Sequence, residues 1–441
     1  MWLCFLGPFF FLVYGFANWA AAQRSSVGSF FFDWERAIPV LPWMVIPYMS
    51  IDLFFAGALF VCGDRGELRT HVKRVVFAIL VSALGFLLFP LAFAFPRPEV
   101  DGLLGAIFGV LHGLDQPYNQ APSLHISLLI LLWAVYGRHV RGWLGWAAHI
   151  WFTLTAASVL FTYQHHFIDI PTGALVGVTA LYLFPGRQAE APLVPFRPTR
   201  VHRTIALRYA LLAALLAGGS AIWLPSAPAL LWGALAVALV ALGYIWLGPS
   251  VFRKHDGRMS GAAMLLMAPY LLGAELSFRW FCRRDAPYSE VMPGLLVGRR
   301  LNPHEASRAV AAQGIATVVD LTAEFSETEV FRDLCYLNLP ILDLTPPTPD
   351  ELCVVCRFID GRIGAGPVYL HCALGYSRSA IAAAAYLLYA GCAESAEQAV
   401  ELLRRARPKA VLTDAHVAAL RAVRPGVSDE RFGELQPCAA R

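Results

Sequence analysis

A polytopic α-helical membrane bundle, followed by an α/β domain with a parallel-rich sheet and helices on both faces, is the fold class this sequence predicts. Three observations lead there. The apolar share of 57% and the charged share of 15% depart from globular averages of about 45–50% and 25%, and the apolar excess lies in residues 1 to about 281. From about residue 285 to 441, short strand-like and helix-like segments alternate instead, as in a sheet covered by helices. Pro367 to Ser379 then runs from a β-branched strand through a tight loop into the Ala-rich helix that Gly391 stops.

At 441 residues the chain exceeds one ordinary core. The expected division is a membrane domain over 1–186, a basic Pro-rich connector over 187–204, further membrane helices and an interfacial segment over 205–284, and a soluble domain over 285–441. The net charge of +4 is modest and calls for no nucleic-acid partner. The nine cysteines lack the regular spacing of a disulfide framework. Cys353-Val-Val-Cys356 is a lone pair inside a predicted helix, without a second Cys or His pair to complete a zinc site.

Met1–Ala22 is apolar without a basic leader, which reads as a first span. Further spans are expected at about 38–62, 75–95, 123–137, 143–163, 170–185, 205–224 and 228–247. Segment 261–281, interrupted by Pro269, Glu275 and Arg279, reads as interfacial or re-entrant. Arg65, Arg69, Lys73, Arg74, Arg138 and Arg141 fill the second and fourth connections, and the sixth and eighth are equally basic, against Arg24, Arg36 and Arg97 in the odd ones. The positive-inside rule then puts the N-terminus and the C-terminal domain in the cytoplasm of a cell inner membrane, where thiols stay reduced.

Two stretches carry polar residues that a lipid-facing helix does not tolerate cheaply. Gln120-Ala-Pro-Ser-Leu-His-Ile126 opens a span, and Thr162-Tyr-Gln-His-His-Phe-Ile-Asp169 precedes another on the same membrane side. His165 and Asp169 share a helix face, and a carboxylate there fixes the tautomer and raises the basicity of an imidazole. The pattern resembles the type 2 phosphatidic acid phosphatase superfamily. The resemblance implies that His165 attacks phosphorus, Asp169 orients it, His125 protonates the leaving group, and Ser123 and Arg97 contact phosphate. Pro90, Leu124 and Val159 stand where the family has Lys, Gly and Arg. Such loss is similar to the sphingomyelin and inositol-phosphorylceramide synthase branch, which implies transfer of lipid headgroups as a rival to hydrolysis. His166, His112 and His149 are single imidazoles assigned to packing or interface roles.

In the soluble part, Leu295–Val297, Ala316–Leu321, Tyr336–Leu339 and Val368–His371 read as strands. Asn302-Pro-His-Glu305 reads as a helix start with an Asn cap, Pro at the first position and Glu in the first turn, and Thr348-Pro-Asp-Glu351 and Ser395-Ala-Glu-Gln398 read as helix starts with capping boxes. A strand, a loop and a helix N-terminus make an anion cradle. Cys372 begins the loop, Gly375 lets it curl, and Arg378 offers a planar fork of donors. A thiol in such a cradle is the residue type that ionises and attacks.

His-Cys-x-x-Gly-x-x-Arg-Ser resembles the dual-specificity branch of the cysteine-dependent protein tyrosine phosphatases. Amides of Ala373, Leu374, Gly375, Tyr376 and Ser377 would then hold phosphate, His371 would tune Cys372, and Ser379 would donate to the leaving thiolate. The resemblance also implies an acid on a loop before the Cys, which is Asp343; Asp350 competes but already belongs to a capping box. No metal or cofactor is needed. The substrate would be a phosphorylated protein or a phospholipid, beside a lipid bilayer. With no Lys or Arg between Cys372 and Arg378, polyphosphorylated inositol lipids are disfavoured.

Overall fold

Apolar runs fold as helices throughout the first half of the computed structural model, which describes residues 2–96, 99–114, 117–186, 193–222, 227–283 and 285–423. The chain separates into two units, Met1–Gln188 with Leu216–Trp232, and Ala189–Leu215 with Gly233–Arg441.

The first unit contains α1 (Trp2–Ala22), α2 (Val45–Val61), α3 (Arg65–Leu88), α4 (Gly102–Leu114), α5 (Leu124–His139), α6 (Gly142–Phe161) and α7 (Asp169–Leu183). Helix α5 sits centrally, packed on α2, α3, α6 and α7, with Leu128, Leu129, Leu131, Leu132 and Val135 all buried. Ser123 at its N-terminus and Ser127 in its first turn are buried as well. Helix α3 begins before residue 75 because Asp64 caps it, accepting from the Glu67 amide at 2.9 Å, while Glu67 accepts from Gly63 at 2.8 Å. Arg65 to Arg74 thus ride on the helix itself. Helix α4 falls where no span was expected.

Next come α8 (Arg200–Ile222) and α9 (Ala227–Leu242), the latter continued by a π turn (Gly243–Leu247) and a 3-10 turn (Gly248–Phe252). Among the described residues, six helical stretches are long and apolar enough to cross a membrane, including Arg200–Ile222 and Ala229–Phe252; those near α4, α5 and α7 are shorter. A two-residue hairpin, β1 (Lys254–His255) with β2 (Arg258–Met259), leads to α10 (Gly261–Leu266) and α11 (Ala268–Cys282). Segment 261–281 is thus two helices, broken at Met267 and restarted with Pro269 in the first turn, where its missing N–H costs nothing.

The remaining elements are β3 (Tyr288–Met292), β4 (Leu295–Arg299), α12 (Pro303–Gln313), β5 (Thr317–Thr322), α13 (Glu329–Arg332), β6 (Cys335–Ile341), α14 (Pro349–Ile363), β7 (Val368–Cys372), α15 (Arg378–Tyr389), α16 (Ala396–Ala406) and α17 (Asp414–Arg421). The five strands lie in the order β3-β4-β7-β5-β6. All neighbours are parallel except β3–β4. Strand alternation sends Leu296, Val318 and Tyr369 to one face, against Ala306 and Ala309 of α12 and Phe331 of α13. Leu295, Val297, Val319, Val368 and Leu370 face the other way, into the core built with α14 to α17. Both faces are covered, which is why these strands read as continuous apolar runs. The capping boxes of Asn302 and Thr348 form. Ser395 caps α16, but Gln398 reaches back to the Glu394 amide rather than to Ser395.

Candidate active site

The strand that ends at Cys372 is central in its sheet, and α15 follows after five residues of loop. Ligands in open α/β sheets bind beyond the carboxyl ends of the strands, and Cys372 lies at that edge. Its sulfur receives the Gly375 amide at 3.3 Å and the Ser379 hydroxyl at 3.3 Å. Gly375 has φ +74°, and a Cβ there would fall 2.6 Å from the Gly298 carbonyl, so the curl of the loop requires glycine. Surrounding chain fixes the loop from outside. The Arg300 amide donates to Ala373 O at 3.0 Å and the Val411 amide to Tyr376 O at 2.7 Å. Arg407 Nε donates to Gly375 O at 3.1 Å, and the Ser377 hydroxyl pairs with His416 at 2.9 Å. Leu374 packs beside Phe278 and Phe325.

Arg378 is buried and faces two carboxylates. Glu324 takes both terminal nitrogens, at 3.0 and 2.7 Å, and Asp343 lies 3.0 Å from Nη2. Burial disfavours the guanidinium charge, but Glu324 and Asp343 outweigh it and hold Arg378 more firmly protonated than usual. Burial pushes Glu324 up, and the Arg378 charge and hydrogen bonds win, leaving it below the usual range. Asp343 goes the other way: burial raises it, Arg378 opposes, and Glu324 adds to the rise. Its side chain keeps 47% exposure, so it reaches both Arg378 and solvent. The Asp343 carbonyl accepts from the Tyr244 hydroxyl at 2.8 Å. Asp350 is exposed in the first turn of α14.

Behind the loop, His371 is fully buried. Its Nε2 lies 3.0 Å from Glu327 and 4.0 Å from Asp320, and Nδ1 is 3.4 Å from the Cys372 carbonyl. Burial lowers its proton affinity, but Glu327 and Asp320 more than restore it, so His371 is raised. Asp320, Glu327 and His371 bring ligand atoms within 4.8 Å of one another, a spacing that suits a metal ion. The cation of this cluster is nonetheless Lys254, whose Nζ donates to Asp320 at 2.6 Å and to the Thr322 carbonyl and hydroxyl at 2.8 Å. Burial would raise Asp320; Lys254 and His371 overcome it and hold Asp320 at about 2.

Glu324, Lys254, Asp320, Glu327 and Arg407 were not singled out from sequence. Glu324 left a faint signal, as a carboxylate just past the end of an apolar strand. Lys254 and Arg407 left none, since each meets its partner only through the fold.

The first unit holds the second constellation. His165 Nε2 is 3.1 Å from the Ser123 hydroxyl, and Nδ1 is 3.2 Å from Asp169. Asp169 also accepts from the His166 amide at 2.9 Å. Gly173 brings α7 against α5, since a Cβ there would collide with the Ser123 carbonyl. His125 stacks on Tyr48 at 4.2 Å between centroids. Val159 is fully buried among apolar side chains. His166 serves packing: it bridges Glu35 at 2.9 Å and the Ala94 amide at 3.0 Å. Arg97 lies outside the described residues.

Residues 302–425 match the family "Dual specificity phosphatase, catalytic domain". Among solved structures, the chain is similar to Tk-PTP in the active form, at 25% identity over 31% of this chain and 95% of that one, with a TM-score of 0.29. It is similar to PTPMT1 in complex with PI(5)P, at 23% identity over 31% and 93%, TM-score 0.29. Human DUSP28 matches at 23% identity over 31% and 91%, TM-score 0.26.

Proposed function

We propose that this chain, whose residues 302–425 are a dual-specificity phosphatase catalytic domain, is an integral membrane phosphatase hydrolysing phosphomonoesters at Cys372 on the cytoplasmic side of a cell inner membrane. The observation that carries it is Arg378, buried beside the Cys372 loop and shared between Glu324 and Asp343. An entering phosphate dianion takes the Arg378 face that Asp343 now holds, and its charge favours the protonated form of Asp343. Binding therefore arms the acid.

Cys372 sulfur attacks phosphorus as the P–O bond to the leaving group breaks, and Asp343 gives that oxygen its proton. Loop amides and Arg378 hold the charge of the transition state. Water, deprotonated by Asp343, then attacks phosphorus and the S–P bond breaks, with Ser379 donating to the departing sulfur. His371 holds the loop from behind. Phosphate release from a soluble aryl phosphate by the full chain, lost in Cys372→Ser, tests this reading. Equal activity of the two proteins overturns it.

A second reading concerns the first unit, and the contact of His165 with both Ser123 and Asp169 favours it. His165 attacks a lipid phosphate ester, Asp169 stabilises the imidazolium, and His125 protonates the leaving oxygen. The departures at Pro90 and Val159 remove cations that a monoester dianion needs more than a diester does, so headgroup transfer suits the site better than hydrolysis. The rival is a membrane half that only anchors the phosphatase or binds lipid; unchanged lipid composition in His165→Ala cells decides for it.

A further inference from the structure

Helix α11 has two apolar stripes. Ala274, Phe278 and Cys282 form one, packed on Phe325, Ala373 and Leu374, so this face supports the loop that holds Cys372. Arg300 ties the joint together, 2.7 Å from Glu275 and over the rings of Phe278 and Phe325 at 4.9 and 4.3 Å. Leu272, Leu276 and Trp280 form the other stripe, at i, i+4 and i+8, and they are 62%, 58% and 57% exposed. Glu275 and Arg279 pair between the stripes at 2.8 Å, and Arg283 follows the last turn. On the acid loop, Leu344 stands next to Asp343, 61% exposed and with φ +59°.

Three exposed large apolar side chains on one face need a cover. Continuity with the preceding helices says what it is. The apolar helical stretch Ala229–Phe252 is long enough to cross a membrane. Lys254, two residues beyond it, is anchored in the phosphatase sheet through Asp320, so the domain is held close to the end of that stretch. Helix α11 starts soon after, with tryptophan and arginine toward its C-terminal end, the residue types that settle at headgroup level. A protein partner would leave this placement unexplained.

We infer that the Leu272–Leu276–Trp280 stripe seats α11 in the lipid surface, so that the Cys372 site takes its phosphomonoester from the headgroup of a membrane lipid. This rests on the phosphatase reading above. Cys372 sulfur bonds to the headgroup phosphorus as the P–O bond to the lipid oxygen breaks, and Asp343 gives that oxygen its proton, so the lipid alcohol stays in the bilayer. Water, deprotonated by Asp343, then attacks phosphorus, the S–P bond breaks, and inorganic phosphate leaves to solvent. Leu344, beside the acid, meets the apolar part of the lipid.

The test uses the full chain in His165→Ala background, reconstituted in phosphatidylcholine vesicles. Three probes are compared: a diacylglycerol phosphate in the vesicles, a soluble aryl phosphate, and a phosphotyrosine peptide. Leu276→Asp and Trp280→Ser should each lower the ratio of lipid to aryl phosphate kcat/KM by about tenfold. An unchanged ratio in both variants, an equal loss on both substrates, or peptide turnover exceeding lipid turnover overturns the inference. If no probe shows Cys372-dependent phosphate release, the phosphatase reading itself falls.

Discussion

Two buried imidazole–carboxylate pairs, one in each unit, look alike in composition and differ in what they leave available. His165 and Asp169 meet at 3.2 Å, and His371 and Glu327 at 3.0 Å. In the first pair the carboxylate takes Nδ1, and Nε2 faces a hydroxyl, that of Ser123. In the second, Nε2 faces Glu327 and Asp320, and Nδ1 turns to the backbone of Cys372. An imidazole with one nitrogen toward a small polar group has a position for chemistry; one with both nitrogens engaged by carboxylates and backbone is a support. The partner of the second nitrogen, more than the presence of His beside Asp or Glu, separates the two roles.

Silencing each site in turn breaks the comparison most sharply. Cys372→Ser should cut aryl phosphate turnover by about 10³-fold or more, since a neutral hydroxyl replaces the thiol proposed to attack. His165→Ala should leave that turnover intact and remove headgroup transfer in membranes of the Cys372→Ser background. If His165→Ala lowers aryl phosphate turnover as strongly, the two sites are not independent.

Lys254 sharpens the role of the support. With Lys254→Met, Asp320 stays buried without its ammonium, a change that costs about 3–5 kcal/mol. The sign with pH is set by the depressed Asp320, at about 2. Its contribution is present above the ordinary carboxylate range and is lost as pH falls toward 2, so the parent's advantage over the variant should be full at neutral pH and narrow toward acid. Denaturation of the full chain followed between pH 3 and 8 reads this. The same contact bears on any fragment beginning at 285, which lacks Lys254.

How much of this was legible depended on distance along the chain. The Cys372 loop could be read because Cys372, Gly375, Arg378 and Ser379 lie in one short stretch bounded by strand and helix patterns. His165 and Asp169 could be read because four residues bring them onto one side. Helix caps are equally local: the Thr348 box forms as expected, and the expected Asn302 cap forms with Glu305 closing a box. Glu324 is 54 residues from Arg378, and Lys254 is 66 from Asp320, so only folding pairs them. Strand β3 was missed because one short antiparallel edge strand carries little period-two signal, although Pro293-Gly294 marks its turn. The start of α3 was missed because charged residues in its first turns looked like a connection.

Asp343 should give a smaller effect with a diagnostic shape. Asp343→Asn should slow turnover by about 10²-fold with alkyl phosphates, whose leaving oxygen needs a proton, and less with aryl phosphates. The acid works protonated, and burial with Glu324 raises it. Parent activity should therefore fall as pH rises through that raised value, and the fall should flatten in Asp343→Asn. An unflattened fall assigns the proton to another group, and Asp350→Asn then becomes the variant to measure.

The smallest effect returns to the supporting imidazole. His371 is raised above its ordinary value, because Glu327 and Asp320 outweigh burial. A group raised in the folded state stabilises it below the unfolded value near 6.5 and loses that contribution as pH rises through the folded one. The parent should thus lose a little stability from neutral to mildly alkaline pH, a shift of about a few degrees in Tm. Glu327→Gln removes the larger attraction and leaves Asp320 alone against burial, so this alkaline loss should shrink. Turnover of aryl phosphate at neutral pH should change far less than in Asp343→Asn, because His371 is fully buried behind the loop. If Glu327→Gln instead matches Asp343→Asn in lost turnover while Tm keeps its alkaline decline, His371 shares in the chemistry and the contrast with His165 fails.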